Sequence, residues 1–304
     1  MDTKVSYHVL GADELWPWQA QLRGLEESIR YPLDESGDSF YIDHGEDYGR
    51  FFHDMGDARF LLATRDAEVL GLIAAAWKEV MLADGTRMKA VYAGDYKVRP
   101  DVRGSGIAAG IFGRGLWALL RKPDLWGASF AYGAAMRMEL GDVRRSFRKR
   151  HPGRLVREVA RQTIYFADPR RLEALRSDGP QAPQGGLELS VDSRPGLVST
   201  LGKKDIKVTS TGEVIPLLHL ATSPSAWSRL GATLQQAGRE ALDSGIVGAR
   251  VCFGVDQRLS EHHRFLEAHD IVPDGTASII VIVPPWHRSK IFDAPWVHLA
   301  TSEI

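Results

Sequence analysis

The sequence predicts a mixed α/β (α+β) fold, and three features predict it. Alternating strand signals run as an antiparallel meander from residue 59 to 98. A strand, a glycine turn and a helix follow over 96–120. In the second half, strand, helix, strand, helix and strand succeed one another.

Each element has a local reason. Asp13 to Ile29 and Glu46 to Met55 read as helices. Arg59 to Arg65, Glu68 to Met81 and Arg87 to Val98 read as strands, with Asp84-Gly85 as the turn joining the last two. Apolar positions 107, 111, 112, 116, 119 and 120 recur at helical spacing, giving a helix over Ile107–Leu120. Trp126 to Gly133 is a strand, Asp142 to Arg150 a basic helix, and Thr163 to Phe166 a further strand. Beyond them come a strand at Ile215–Ala221, a helix at Ser225–Leu242 and a strand at Ala249–Val255. A helix at Glu261–His269 and a Val/Ile-rich strand at Ser278–Val283 end the series. The Pro/Gly/Ser-rich segment 177–186 sets the expected organisation: a domain over 1–176, a linker, and a domain over 187–304.

Composition narrows the function. Lys+Arg number 38 against 39 Asp+Glu, a balance that argues against a nucleic-acid binder, which carries a basic excess. The lone Cys252 excludes a disulfide framework and a thiolate zinc finger. His262, His263 and His269 lack the i,i+4 spacing of a metal clamp, so no metal site is expected. The N-terminus lacks the basic start and apolar run of a secretory signal, and the longest apolar run is far short of a membrane helix of ~20 residues. A cytoplasmic protein acting away from membranes is the expectation.

The informative stretch is Tyr96-Lys-Val-Arg-Pro-Asp-Val-Arg-Gly-Ser-Gly-Ile-Ala-Ala-Gly110. Amides at a helix start are unpaired and sit at the positive end of the dipole, where they bind phosphate oxygens. Gly104 and Gly106 let a ligand approach the backbone, and Arg103 adds positive charge. A dinucleotide fingerprint passes almost directly from strand to glycine, whereas here Pro-Asp-Val-Arg intervenes. A tight turn that merely starts a helix is the plain alternative.

Val98-Arg-Pro-Asp-Val-Arg103-Gly-Ser-Gly106-Ile-Ala108 resembles the acyl-CoA signature of the GNAT N-acetyltransferase superfamily, Arg/Gln-x-x-Gly-x-Gly/Ala, met by Arg103, Gly106 and Ala108. The resemblance covers about residues 5–170. It implies a mostly antiparallel GNAT sheet flanked by helices, with the second half a degenerate GNAT-like copy in tandem, Ser223-Pro-Ser225 standing where a phosphate loop would be. It implies acyl-CoA as cosubstrate. The amides of Arg103, Gly104, Ser105, Gly106, Ile107 and Ala108 would hold the pyrophosphate. The strand end Lys97, Val98 and Arg99 would bind the pantetheine, with the Val98 amide polarising the thioester carbonyl. The implied reaction is direct attack by an amine, which needs a base and often an acid for the thiolate.

The family's Tyr acid matches Phe147 here, which leaves His151, Tyr132 or unassisted departure. Asp95 and Glu79 are the candidate bases, Asp95 sharing a strand face with Lys97. Eight acids and one base over 33–57, interleaved with Tyr41, Tyr48, Phe51 and Phe52, suit a cationic amine, or form a solvated loop with its aromatics in the core. Eleven Arg and one Lys over 137–176 suit a carrier protein's phosphopantetheine arm, the 3′-phosphate of CoA, or plain solvation. An acetyltransferase acting on a small amine or an amino terminus is the expectation. A carrier-protein-dependent acyltransferase and a non-catalytic acyl-CoA-binding module are the rivals, and a homodimer stays open.

Overall fold

The computed structural model describes residues 4–32, 38–82, 87–121, 130–136, 156–189, 196–221, 229–283 and 294–304. They fall into two compact units. The first comprises Met1–Lys78, Val91–Ala128 and Leu201–Ile215, and the second Glu79–Ala90, Ser129–Thr200 and Pro216–Ile304. The expected linker 177–186 lies inside the second unit, so this division cuts the chain elsewhere.

In chain order the elements are β1 (Ser6–Gly11), α1 (Gln19–Glu27), β2 (Tyr31–Pro32), β3 (Ser39–Asp43), α2 (Arg50–Met55), β4 (Asp57–Arg65), β5 (Glu68–Leu82), β6 (Arg87–Val98) and α3 (Ile107–Arg121). There follow β7 (Phe130–Met136), β8 (Val156–Ala167), α4 (Pro169–Glu173), β9 (Leu187–Glu188), β10 (Gly196–Ser199), β11 (Asp205–Val208) and β12 (Val214–Ile215). The chain ends with β13 (Leu217–Ala221), α5 (Leu230–Asp243), β14 (Arg250–Asp256), α6 (Ser260–Glu267), β15 (Gly275–Ile282) and β16 (Val297–His298).

In the first unit the strand order is β1–β4–β5–β6, with β1, β4 and β5 antiparallel. Ile107 and Ile111 of α3 pack on Leu61, Ala63 and Leu70 of β4 and β5. The expected helix at 13–29 is two pieces. Pro17 lacks an N–H, so Ala12–Trp18 is a 3₁₀ turn and the α-helix begins at Gln19. A second small sheet runs β12–β11–β3–β2, in which Asp205–Val208 pairs with Phe40–Asp43. Strand β3 falls where the acidic stretch reads as loop, because its pairing partner lies more than 160 residues along the chain.

In the second unit the order is β7–β15–β8–β14–β13–β10. Strand β15 lies between β7 and β8 and pairs antiparallel with both. The expected strand–helix–strand–helix–strand order of the second half is present as β13, α5, β14, α6 and β15. Helix α5 contributes Leu230, Leu234, Ala237 and Ala241 to a core with Phe253 and Tyr165. The Asp84-Gly85 turn and the basic helix at 142–150 lie outside the described residues.

One close approach shapes the functional end of the first sheet. A Cβ on Gly71 of β5 would lie 2.6 Å from the Lys97 carbonyl oxygen and 3.2 Å from the Val98 Cα of β6. These are backbone atoms, so a side chain there forces the strands apart. Gly71→Ala is expected to destabilise the protein by about 1–3 kcal/mol, the usual cost of overpacking, read as a lower urea midpoint.

Candidate active site

Strand β6 ends in Asp95-Tyr-Lys-Val98, and its backbone sets the site. Asp95 has φ +55°, a left-handed conformation uncommon for a residue other than glycine. Asp95 and Lys97 nonetheless share a face, as alternation requires. On that face Lys97 Nζ lies 2.8 Å from Glu26 Oε1 of α1 and 2.9 Å from Asp95 Oδ1. His44, just after β3, places Nδ1 2.5 Å from Glu26 Oε1 and donates its backbone N–H to Glu26 Oε2 at 3.1 Å. The Tyr48 hydroxyl donates to Asp95 Oδ2. All five side chains are buried.

Burial alone would push the Asp95 carboxyl up. The Lys97 ammonium, His44 and the Tyr48 hydroxyl outweigh it and hold the group well below the usual carboxylate range. Burial lowers Lys97, but Asp95 and Glu26 raise it above the ordinary lysine value. Burial and the Asp95 charge push the Tyr48 phenol up. Asp95 is therefore a weak base locked in an ion pair. Glu26, His44 and Asp95 also form a ligand set of the kind that holds a metal. The Lys97 ammonium already stands against both carboxylates, so the group fits a built-in cation.

The opposite face of β6 meets α3. The Tyr96 hydroxyl donates to the Ala108 carbonyl, and Val98 packs beside Ile107 and Ile111. The Arg99 amide donates to Leu70 O of β5 at 2.9 Å. Backbone groups alternate along a strand, so the Val98 amide points away from β5. Arg103 Nε donates to the Val98 carbonyl at 3.3 Å. Of the three expected strand-end residues, Lys97 has its side chain buried in the ion-pair network, and Arg99 spends its guanidinium on Asp101 and Glu68. The Val98 amide, turned away from β5, lies beside the glycine turn.

In that turn Arg103, Gly104, Ser105 and Gly106 are exposed, and Ile107 is buried as the first residue of α3. Gly104 and Gly106 have φ +83° and +89°, and a Cβ on either would meet nothing within 4 Å. Glycine is there for backbone conformation, and the space beside it is open. This open, positively polarised helix start is what the phosphate-loop reading requires.

Among the other candidates, Glu79 is an exposed strand residue whose carboxylate accepts from Arg87 at 3.3 Å. Tyr132 of β7 is buried, its hydroxyl donating to Glu303 Oε2 at 2.9 Å and Leu189 O at 3.1 Å. His151 lies outside the described residues. The acidic stretch is largely spent within the chain: Lys207 pairs Asp43, Lys203 pairs Asp54, and the Ser210 hydroxyl donates to Asp38. Tyr48, Phe51 and Phe52 are core, and Tyr41 sits under the Arg30 guanidinium at 4.6 Å. Sequence reasoning missed Glu26 and His44. Neither carries a local signal, and only the fold brings them to Lys97.

No family model matches the chain, and no curated protein matches it. Solved structures do. N-myristoyltransferase from Saccharomyces cerevisiae with bound myristoyl-CoA superposes with a TM-score of 0.53 at 11% identity, over 98% of this chain and 86% of that one. A tandem GNAT protein from the clavulanic acid biosynthesis pathway gives 0.50 at 10% identity, over 92% and 98%. The chain has the GNAT fold, in two halves. Among the described residues, no helix is long and apolar enough to cross a membrane.

The buried ion-pair network makes a stability prediction. Lys97→Met leaves two carboxylates buried without their cation and is expected to cost about 3–5 kcal/mol. Asp95 is depressed and Lys97 raised, so the wild-type contribution is present between about pH 4 and 10. It fades as pH falls below the ordinary Asp value or rises above the ordinary Lys value. Urea unfolding of both proteins across pH checks this, because the gap between them should narrow at both extremes.

Proposed function

We propose that the protein is an N-acyltransferase that moves an acyl group, most simply acetyl, from acyl-CoA to a primary amine. The observation that carries this reading is the open helix start. Two glycines in left-handed conformation and Arg103 precede the 15-residue α3, and Arg103 Nε donates to the Val98 carbonyl beside it.

The pyrophosphate oxygens accept hydrogen bonds from amides of Gly104, Gly106, Ile107 and Ala108, with the helix dipole and Arg103 adding charge. The expected amides of Arg103 and Ser105 already donate to the Pro100 and Val102 carbonyls. The thioester carbonyl accepts from the Val98 N–H, which strengthens as negative charge builds on that oxygen. The neutral amine nitrogen attacks the carbonyl carbon, the C–S bond breaks to release CoA as a thiolate, and the proton that the nitrogen loses passes to that thiolate through solvent. Asp95 serves this step through position. Its ion pair with Lys97 fixes the strand end that presents Val98, and its depressed basicity suits it poorly to taking the amine's proton.

Calorimetric titration with acetyl-CoA tests the site. Gly106→Val cannot adopt φ +89° without strain, so it is expected to weaken acetyl-CoA binding at least about tenfold while the protein stays folded by circular dichroism. Wild-type-like affinity in that variant would contradict the phosphate loop.

A further inference from the structure

The strand order of the first unit ends at an edge that the acyl-transfer reading leaves unused. Strand β1 is outermost in the order β1–β4–β5–β6, and among the described residues it pairs with β4 alone. Its six residues carry no lysine, proline or acid, and its register with β4 runs without a bulge. Proteins blunt an edge with one of those devices or by keeping it short. The other outer strands are short: β10 has four residues, and β2, β12 and β16 have two each. Among the described residues, β1 is therefore the long, unguarded edge.

This edge also directs hydrogen-bonding groups outward. The Gly11 N–H donates to Glu14 Oε2 at 2.6 Å, away from β4. Backbone groups alternate in direction along a strand, so those of Val9 and Tyr7 also point away from β4. Val9 stands in the middle of this row, and it is 49% exposed. At the Gly11 end, Val9, Gly11, Asp13, Glu14 and Arg59 line a hollow of about 350 Å³. Arg59 is paired with Asp57 at 2.7 Å, which leaves Asp13 and Glu14 to set the charge of the hollow. At the other end, two residues before β1, Lys4 is exposed.

A second copy of the same edge fits this arrangement. A two-fold axis perpendicular to the sheet runs the two strands antiparallel, and residues on like faces must then stand opposite each other. Val9 opposite Val9 meets that condition. The two residues exchange N–H to C=O hydrogen bonds, and their exposed side chains cover each other. The same register sets Tyr7 opposite Gly11 and carries Lys4 of each copy toward Asp13 and Glu14 of the other. An unrelated extended segment would gain the backbone bonds without the paired charges at both ends.

We propose that the protein forms a two-fold dimer in which the β1 edges of two copies pair antiparallel about Val9. The contact is small, a strand pair with one charge contact at each end, so the dimer forms as concentration rises. It stands independently of acyl transfer, because the glycine turn and Val98 take no part in it.

Sedimentation velocity of the full chain over a range of concentrations tests the dimer. The wild type should pass from monomer to dimer. Val9→Lys sets two ammonium groups at the axis and should remain monomeric throughout. Lys4→Glu sets acid against acid at both ends and should move the transition to higher concentration. Both positions are exposed, so the circular dichroism of each variant should match the wild type. Hydrogen exchange of the wild type reads the edge directly, because the Tyr7 and Val9 amides should be protected in the dimer and exchange freely in the monomer. A wild type that stays monomeric up to its solubility limit would overturn the proposal. So would a dimer that survives Val9→Lys, an unmoved transition in Lys4→Glu, or Tyr7 and Val9 amides that exchange equally in both states. The two wild-type measurements decide the matter if a variant does not fold.

Discussion

The functional end of the first unit depends on one buried ammonium. Lys97 joins α1 through Glu26 and the left-handed turn of β6 through Asp95, while His44 anchors the end of β3 to the same Glu26 carboxylate. Burying a lysine costs several kcal/mol unless the charge is matched at short range. Here two carboxylates match it, and Tyr48 satisfies a further Asp95 oxygen. A network of this kind specifies geometry more than it adds stability, since a well-packed apolar substitute is often as stable. What it specifies is the path of β6. Asp95 holds φ +55° with its side chain claimed by three partners, and three residues later the Val98 amide is turned away from β5.

The same network separates two roles that one strand could have mixed. The face carrying Asp95 and Lys97 is dry and electrostatically closed, whereas Tyr96 and Val98 face α3 and the glycine turn. A carboxylate so strongly held is a poor acceptor of a proton, so its place near the end of β6 does not make Asp95 a base. The acids of 38–54 behave alike. Lys203 and Lys207, carried on the returning segment 201–215, meet Asp54 and Asp43, and Lys204 lies 4.7 Å over the Phe51 ring. That segment acts as the internal counter-charge of the acidic stretch and removes much of the field a cationic ligand would feel there.

How far the sequence was legible follows from the range of the interactions. The glycine turn was readable because its determinants lie within six residues: two glycines that need positive φ, an arginine, and a helix that starts at Ile107. The strands β4 to β6 were readable because alternation and a short connection suffice. Strand β3 was not, because Ser39–Asp43 acquires its strand character from β11, and the intervening chain gives no local hint of that pairing. The first helix was overextended because its apolar period continues through Pro17, where the missing N–H overrides the pattern. The central network was invisible for the same reason as β3. Glu26, His44, Asp95 and Lys97 come from three elements, and each alone is an ordinary polar residue.

The two units answer one physical problem in different ways. Each encloses acids from separate elements: Glu26 and Asp95 in the first, Glu188 and Glu303 in the second. Like charges brought together in a low dielectric must gain a cation or a proton. The first unit draws the cation from its own chain, with Lys97 against both carboxylates. In the second, burial and the nearby Glu303 carboxylate push Glu188 up to about 9, so it keeps its proton at neutral pH. A covalently supplied cation is permanent and suits a structural joint. A proton is exchangeable, so the second arrangement is lost as pH rises through about 9.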